Sequence, residues 1–296
     1  MISALLRILA CAVAMGPALA AAQVVVSILD GEARVVHARG SFAAVEGLKL
    51  PPASIVNLDA KAVLLRLEWP DGSAADLGPG THAMVLPDKL SEKAGKAPGL
   101  YVLRGFVKVS GRAPATAPVV LAPGLEIAPS AGVVVVQATP ERSAVFAESG
   151  SAMLADRLGK AAPQSLPAGQ FWSRGGGASA TVQPRPPGDW LAQIPRAFRD
   201  TLPLRRAVVL ARNVTGKPLP LPGYAELRDW LYTEPLVRRV LVTQFTAWAQ
   251  EPSIKSALIT NINDHREWGP IVLPPPPLPK TEPPRPGPAS GQRNVP

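Results

Sequence analysis

The chain has almost no cysteine and few aromatic residues. Cys11 is the only cysteine among 296 residues, so no intramolecular disulfide can form. Tyrosine, tryptophan and phenylalanine together make up 5% of the chain. The three histidines, His37, His82 and His265, lie far apart and form no metal-binding spacing such as HxxH or HExxH. The sequence therefore predicts neither a metal site nor a disulfide framework.

Motifs of catalytic and cofactor sites are also missing. The chain contains neither a GxSxG nucleophile elbow nor a GxxxxGK[ST] phosphate loop. The glycines Gly175–Gly177 do not lead directly into a convincing helix, which argues against a phosphate site. Asp30 and Asp71 each precede a glycine, which is typical of turns rather than of paired catalytic carboxylates. We therefore expect no catalytic residue, no cofactor and no enzyme activity.

Proline and glycine are abundant instead. There are 35 prolines and 25 glycines, and the prolines are spread along the chain. Because proline breaks helices, this composition excludes a helical bundle throughout. Hydrophobic residues make up 47% of the chain, mostly alanine, valine and leucine, which is enough to bury a core. The formal net charge of +9 is spread evenly, so no nucleic-acid-binding patch stands out.

Residues 1–22 have the pattern of a secretory signal peptide. Arg7 precedes an apolar stretch, a Gly-Pro pair follows, and small residues suited to cleavage surround Ala20. A membrane anchor is the alternative, but a span needs about 20 apolar residues, and this stretch is shorter. No later segment is apolar over the roughly 18 residues of a membrane helix. We therefore expect cleavage and a periplasmic or secreted protein without an integral membrane span.

The rest of the chain divides into four segments by composition. Residues 24–172 alternate short apolar runs with turn residues, which predicts a mainly β domain, either a sandwich or a short solenoid. Residues 173–188 contain three consecutive glycines and a PRPP cluster, and we expect a linker there. Residues 189–269 are expected to form a small α-helical domain. Residues 270–296 are rich in proline and are expected to be a disordered tail.

Helical periodicity supports the domain predicted at residues 189–269. Pro235 and Pro252 each stand where the first turn of a helix tolerates proline. Apolar residues then recur at intervals of three and four, from Val237 to Trp248 in the first case. A shorter helix is expected over Ala225–Tyr232. The tryptophans from position 190 onward are expected to build a small helical core.

A series of turn and strand motifs follows a fixed order through residues 24–172. They are Gly31–Val35, Glu46–Leu50, Asp71–Ser73, Leu77–Pro79, Leu103–Val109, Gly132–Val135, Val145–Gly150 and Leu166–Gln170. In this order they resemble the FecR-like domain of bacterial envelope proteins. The segment after residue 189 is similar to a helical extension that accompanies such domains in some proteobacterial proteins.

The resemblance implies a β fold, a location in the cell envelope and a role in binding or organising partners. The best understood members of that family relay a receptor signal across the inner membrane to a cytoplasmic sigma factor. They need a cytoplasmic N-terminal segment and a transmembrane helix, whereas here the β region directly follows the predicted signal peptide. The relay role is therefore not expected for this chain.

A local group of arginines is the candidate partner-binding site. Its members are Arg196, Arg199, Arg205, Arg206 and Arg212. One interpretation is a contact with an anionic envelope polymer, lipid head groups or an acidic protein. The other is a solvated face whose arginine stems cover apolar surface.

Together these features predict an exported, non-catalytic binding or scaffold protein of the bacterial envelope. Its partner would be an unidentified envelope protein or an anionic polymer, and not a nucleic acid. A soluble periplasmic component of a cell-surface signalling pathway is the second hypothesis. A hydrolase acting on cell-wall polymer is the third.

Overall fold

The protein is mainly β, with short helices towards the C-terminus, as the sequence predicts. The computed structural model describes residues 23–38, 40–87, 99–111, 118–158 and 162–273. The predicted signal peptide, and the predicted tail from residue 274 onward, lie outside these described residues.

Eighteen strands of the described chain form one hydrogen-bonded sheet that curls on itself. In chain order they are β1 (Val24–Asp30), β2 (Ala33–His37), β3 (Gly40–Ala43), β4 (Lys49–Leu50), β5 (Ile55–Leu58), β6 (Leu64–Glu68), β7 (Ala74–Leu77), β8 (His82–Val85), β9 (Leu100–Gly111), β10 (Val120–Ala122), β11 (Leu125–Pro129), β12 (Gly132–Ala138), β13 (Arg142–Ser149), β14 (Ser151–Asp156), β15 (Gln164–Pro167), β16 (Phe171–Gly175), β17 (Thr181–Gln183) and β18 (Pro218–Leu219). The helices are α1 (Gly188–Gln193), α2 (Arg206–Leu210), α3 (Tyr224–Leu231), α4 (Pro235–Gln244), α5 (Pro252–Thr260) and α6 (Gly269–Val272).

The curled sheet has two layers that share strand β9. Layer A has the order β4-β1-β6-β7-β9-β12-β13-β16-β17. Layer B has the order β18-β3-β2-β5-β8-β9-β10-β11-β14-β15. All pairings are antiparallel except that of β9 with β10. This pattern is closer to a sandwich than to a solenoid, whose successive strands run parallel.

A single strand passes from one layer to the other at Gly105. Gly105 separates two apolar runs of the sequence, Tyr101–Arg104 and Phe106–Ser110, and the structure joins them in the one strand β9. Gly105 has a φ of +106°, and a Cβ atom there would lie 2.4 Å from Oγ1 of Thr81. Glycine therefore allows the bend for two reasons, its backbone freedom and its lack of a side chain.

The main core lies between the two layers. Alternation along each strand sends every second side chain into it, such as Leu65 and Leu67 from β6 and Val107 and Val109 from β9. The intervening residues of the same strands point outward. The outer faces are not left to solvent, because the segment after residue 187 covers both of them.

We call residues 188–273 the C-terminal belt. Its first part lies over layer A, where Trp190 and Phe198 pack on the outward residues of the strands. Its second part, α3 to α6, lies over layer B, where Trp230 is buried against Tyr101. Between them α2 packs on β1, and β18 pairs with the edge strand β3. The belt shares its apolar contacts with the sheet, unlike the separate helical domain that the sequence suggests.

Two segments differ locally from the sequence prediction. The expected linker at 173–188 contains strand β17, which pairs with β16 and extends layer A. Trp190 lies outside the helical core, because its ring packs on Phe106 and Phe171 of layer A. Its indole N–H donates to Oε1 of Gln137. These contacts tie the start of the belt to the β region.

The predicted helices after Pro235 and Pro252 are confirmed as α4 and α5, with proline in the first turn of each. Helix α4 ends at Gln244, so Trp248 belongs to a separate 3-10 turn. The belt continues to Val272, which is buried in α6, so residues 270–272 of the predicted tail belong to the fold. None of the described helices is long and apolar enough to cross a membrane.

Buried charged side chains of layer A form hydrogen bonds with backbone groups of the belt. Nη1 of Arg66 donates to the carbonyl of Leu202 at 2.8 Å, and Nζ of Lys108 donates to the carbonyl of Phe198 at 2.5 Å. The carboxylate of Glu68, which is fully buried, accepts the backbone N–H groups of residues 205 and 206. These bonds satisfy backbone groups that an irregular segment cannot pair by itself.

Candidate functional site

A cleft of about 860 Å³ opens between the outer face of layer B and helix α3. Strands β2, β5, β8 and β9 form its floor, and α3 with the residues before it forms one wall. The apolar part of the same face is buried under the belt in a cross-strand row from Val36 to Tyr101. The cleft therefore lies where the helices stop covering the sheet.

Four polar residues cross the floor of the cleft, and we call them the polar row. Arg34 lies opposite Asn57, Asn57 opposite His82, and His82 opposite Arg104. Directly opposed residues of paired strands point to the same face of a sheet. Neighbouring strands lie about 4.8 Å apart, so the Cα atoms of Arg34 and Arg104 are roughly 14 Å from each other.

Helix α3 supplies one carboxylate to each end of the polar row. Glu226 and Asp229 are three positions apart and therefore share a face of the helix. Nη1 of Arg34 lies 2.6 Å from Oε1 of Glu226, and Nη1 of Arg104 lies 3.2 Å from Oδ2 of Asp229. The four side chains are 29% to 55% exposed. Solvent therefore screens both ion pairs, which contribute at most about 1 kcal/mol each.

The centre of the polar row has unused hydrogen-bonding capacity. Oδ1 of Asn57 is buried and accepts no hydrogen bond from the described residues. Nη2 of Arg104 donates to Nε2 of His82 at 3.0 Å, which leaves Nδ1 of the neutral ring as a donor. Burial, and then the charge of Arg104, lower the pKa of His82 to about 4, although Asp229 acts in the opposite direction. A neutral donor and acceptor thus lie between two cations.

The two arginines are the groups of the cleft that suit an anionic, extended ligand. The lining also carries Lys217 and the carboxylates of Glu32, Asp59, Glu226 and Asp229. Guanidinium groups bind carboxylates and phosphates through paired hydrogen bonds. Among the described residues, no group of three His, Cys, Asp or Glu side chains is placed to hold a metal ion. The chemistry that the cleft offers is hydrogen bonding and charge.

The arginine group predicted from the sequence lies elsewhere, on the belt beside β1. Arg205 and Arg212 share one partner, the carboxylate of Glu46. Nη1 of Arg205 lies 2.9 Å from Oε1 of Glu46, and Nη1 of Arg212 lies 3.2 Å from Oε2. Arg206 donates to the carbonyls of Gln23 and Glu68, at 2.7 Å and 3.1 Å. These three arginines therefore fix the belt to the β region.

The other two members of the group are free of such contacts. Arg196 and Arg199 lie on a 3-10 turn over layer A, and both are exposed. Neither forms an ion pair with any residue that the structure describes. The structure thus divides the five arginines into three that act within the fold and two that face solvent.

His265 is buried among aromatic side chains of the belt. Its Nε2 lies 2.7 Å from the hydroxyl of Tyr224, and its ring packs edge-on against Tyr232. Burial lowers the pKa of His265, although Glu267 and Asp264 act in the opposite direction. A neutral ring in a packed aromatic cluster is therefore part of the core of the belt.

We expect acid to destabilise the fold partly through His82. Its pKa is about 4 in the folded protein and about 6.5 in an unfolded chain, so the unfolded chain binds the proton more readily. Stability from this residue is complete above pH 6.5 and is lost as the pH falls towards 4. A single group of this kind changes the free energy of unfolding by up to about 1.4 kcal/mol per pH unit. Solvent screening reduces this value for His82.

Urea denaturation at several pH values tests this expectation. In the His82→Gln variant, whose amide oxygen can still accept from Arg104, the loss of stability between pH 6.5 and 4 should be smaller than in the parent protein. His37→Gln is the control for a half-buried histidine outside the cleft. Equal slopes for the parent protein and His82→Gln would contradict the expectation.

Sequence reasoning missed the polar row. Its residues are single polar positions on strands that are otherwise apolar, and this was the only available signal. The pairing register brings them together, and that register cannot be deduced from the separate segments. His82 was considered only as a metal ligand, whereas the structure uses it as a neutral neighbour of Arg104.

The comparisons with known proteins give limited similarity. No family model matches the chain, and no curated protein matches it. Two crystal structures, at 2.50 Å and 1.65 Å resolution, of a candidate anti-sigma factor from Parabacteroides distasonis ATCC 8503 are similar to it. The sequence identities are 13% and 12%, with TM-scores of 0.38 and 0.37. Each match covers 44% of this chain and 59% of that chain.

The chain thus spans about three fifths of the length of the structures it matches. A resemblance of this extent does not assign an activity. Membership of the FecR-like family stays a prediction from the motif order.

Proposed function

We propose that this protein is an exported, non-catalytic binding module of the bacterial envelope. Its site is the cleft between layer B and α3, and its partner is a carboxylate-bearing segment of an envelope protein or polymer. The polar row is the observation that carries the proposal. Export rests on the pattern of residues 1–22. The signalling role considered from the sequence stays a prediction, since no contact in the structure favours it.

The first support is that both arginines can exchange partners at little cost. Their ion pairs with Glu226 and Asp229 are solvent-exposed, and such pairs contribute about 0–1 kcal/mol. A ligand carboxylate that forms paired hydrogen bonds to Arg34 or Arg104 can replace them. The belt stays in place meanwhile, because α3 is held by its buried residues Leu227, Trp230 and Leu231.

The second support is the selectivity that the centre of the row provides. A ligand that spans the two arginines passes over Asn57 and His82. Asn57 lines the cleft and is half-buried, and a rotation of its side chain would expose the unpaired Oδ1 to a donor such as an amide N–H or a sugar hydroxyl. The cleft therefore fits an acidic peptide or an acidic polysaccharide better than a simple inorganic anion.

A binding measurement with defined probes tests the proposal. The probes are penta-L-glutamate and an alginate trimer, with penta-L-serine and cellotriose as neutral counterparts. We expect the acidic probes to bind by isothermal titration calorimetry and the neutral ones not to bind. The Arg34→Gln/Arg104→Gln variant should lose at least about tenfold in affinity, since a hydrogen bond to a charged group contributes about 1.5–3 kcal/mol.

Two further variants complete the test. Arg228→Gln changes an exposed arginine of the same helix that does not line the cleft, and it should bind like the parent protein. Glu226→Gln/Asp229→Asn frees both arginines and should bind more tightly. Failure of both acidic probes to bind, or equal binding by the double arginine variant, would show that the cleft is not the site.

A further inference from the structure

Helix α2 has an apolar face that points to solvent. Leu204, just before the helix, is 42% exposed, and Val208 is 62% exposed. The two residues are four positions apart, about one turn of helix, and Ala207 and Ala211 beside them are also exposed. We call these four residues the α2 face.

The fold holds the α2 face in this orientation. Val209, on the opposite side of the helix, is fully buried, and α2 packs on β1. The backbone N–H groups of Arg205 and Arg206 are bound to the buried carboxylate of Glu68. The helix therefore cannot rotate to hide Val208 without breaking hydrogen bonds to a buried charge. Exposure of this apolar face is a fixed feature of the native structure.

Exposed arginines lie before and after the α2 face along the chain, together with the exposed Asp200. Arg196 and Arg199 precede it, are exposed and have no ion pair within the described chain. Arg212, one turn after Val208, is 47% exposed and shares Glu46 with Arg205. Apolar side chains flanked by arginines are the composition of surfaces that lie in the interface of an anionic membrane.

The position of α2 in the fold gives a second, independent indication. Arg206 donates to the carbonyl of Gln23, so α2 lies beside the residue at which the described chain begins. The residues before it, 1–22, are apolar with Arg7 as their only charge. Before the expected cleavage, this apolar segment is therefore joined to the fold next to the α2 face.

We propose that the α2 face, with Arg196 and Arg199, is a docking surface for an anionic lipid bilayer. Leu204 and Val208 enter the interface, and the arginines contact lipid phosphate groups. This role is separate from ligand binding in the cleft, which lies on layer B. The protein would thus hold its ligand close to a membrane surface.

Vesicle flotation of the chain that starts at Gln23 tests the proposal, because every described contact lies within this form. The vesicles contain phosphatidylglycerol and phosphatidylethanolamine, or phosphatidylcholine alone. We expect binding to the first kind, weaker binding at high salt because charges are screened, and little binding to the second kind. Leu204→Ser/Val208→Ser should lower the bound fraction at least fivefold, and Arg196→Gln/Arg199→Gln should lower it on the anionic vesicles.

Met153→Ser/Val182→Ser is the matched control, since it removes two exposed apolar side chains from other parts of the surface. It should bind like the parent protein. Equal binding by the parent protein and by Leu204→Ser/Val208→Ser would overturn the proposal, as would binding that does not depend on phosphatidylglycerol. Without vesicles, stronger hydrogen-exchange protection of residues 204–211 in the chain that starts at Met1 would show that the N-terminal segment covers this face, which would also overturn it. None of these outcomes bears on the cleft, whose probes and variants are different.

Discussion

Replacing Arg66 with methionine is expected to lower the free energy of unfolding by about 3–5 kcal/mol. Arg66 donates from Nε and Nη2 to the two carboxylate oxygens of Asp76, at 2.6 Å and 2.8 Å. Both side chains are almost fully buried. Without the guanidinium, Asp76 keeps a buried charge that has lost its arginine, and the carbonyl of Leu202 loses a donor. Urea denaturation of the variant and the parent protein measures the loss.

Two comparisons isolate the cause of that loss. Arg104→Met removes an exposed ion pair and should cost no more than about 1 kcal/mol. Arg66→Met/Asp76→Leu removes both buried charges and should be more stable than Arg66→Met alone, because no unpaired charge remains. A loss below about 1 kcal/mol in Arg66→Met would show that Asp76 finds another partner, for which Lys108 on the next strand is the candidate.

Removing the C-terminal belt is expected to prevent folding to a soluble monomer. A chain of residues 23–187 would expose the outward apolar residues of both layers, among them Ile55, Met84, Tyr101 and Phe171. Each large side chain contributes about 1.5–3 kcal/mol when fully buried, and a whole domain is stable by only about 5–15 kcal/mol. The loss of about ten such contacts therefore exceeds the stability that a domain of this size has.

Size-exclusion chromatography with light scattering, together with thermal unfolding followed by circular dichroism, tests this expectation. A chain of residues 23–273, which keeps the belt and lacks residues 1–22 and 274–296, is the control and should stay monomeric and unfold cooperatively. Residues 23–187 should aggregate or bind a hydrophobic dye. A monomeric, cooperatively unfolding 23–187 would instead support the separate helical domain suggested by the sequence.

Short apolar runs rich in β-branched residues predict strands from the sequence. Val133–Ala138 and Val24–Ile28 are examples, and both are strands in the structure. Strand β7, Ala74–Leu77, was not predicted, because alanine and aspartate have low β propensity. It forms a strand because Ala75 and Leu77 lie in the core and Asp76 pairs with Arg66 on the flanking strand β6. Tertiary contacts thus decided what local propensity could not.

The candidate site could be predicted less well than the fold. The arginine group at 196–212 is contiguous in sequence and was recognised, but three of its members bind partners within the fold. The polar row comes from four strands. Arg34 and Arg104 reach the same cleft only because of the register in which these strands pair. Proximity in sequence was therefore a poor guide to which cations face a ligand.

The sequence by itself determined the β character of residues 24–172 and the helices that begin at Pro235 and Pro252, because turn residues, β-branched runs and first-turn prolines act locally. Only the tertiary structure decided that the belt covers both outer faces. An outward apolar residue such as Met84 looks the same in sequence whether a helix or solvent lies above it. Its burial under the belt depends on contacts between distant segments, and these contacts also leave the cleft and the α2 face open.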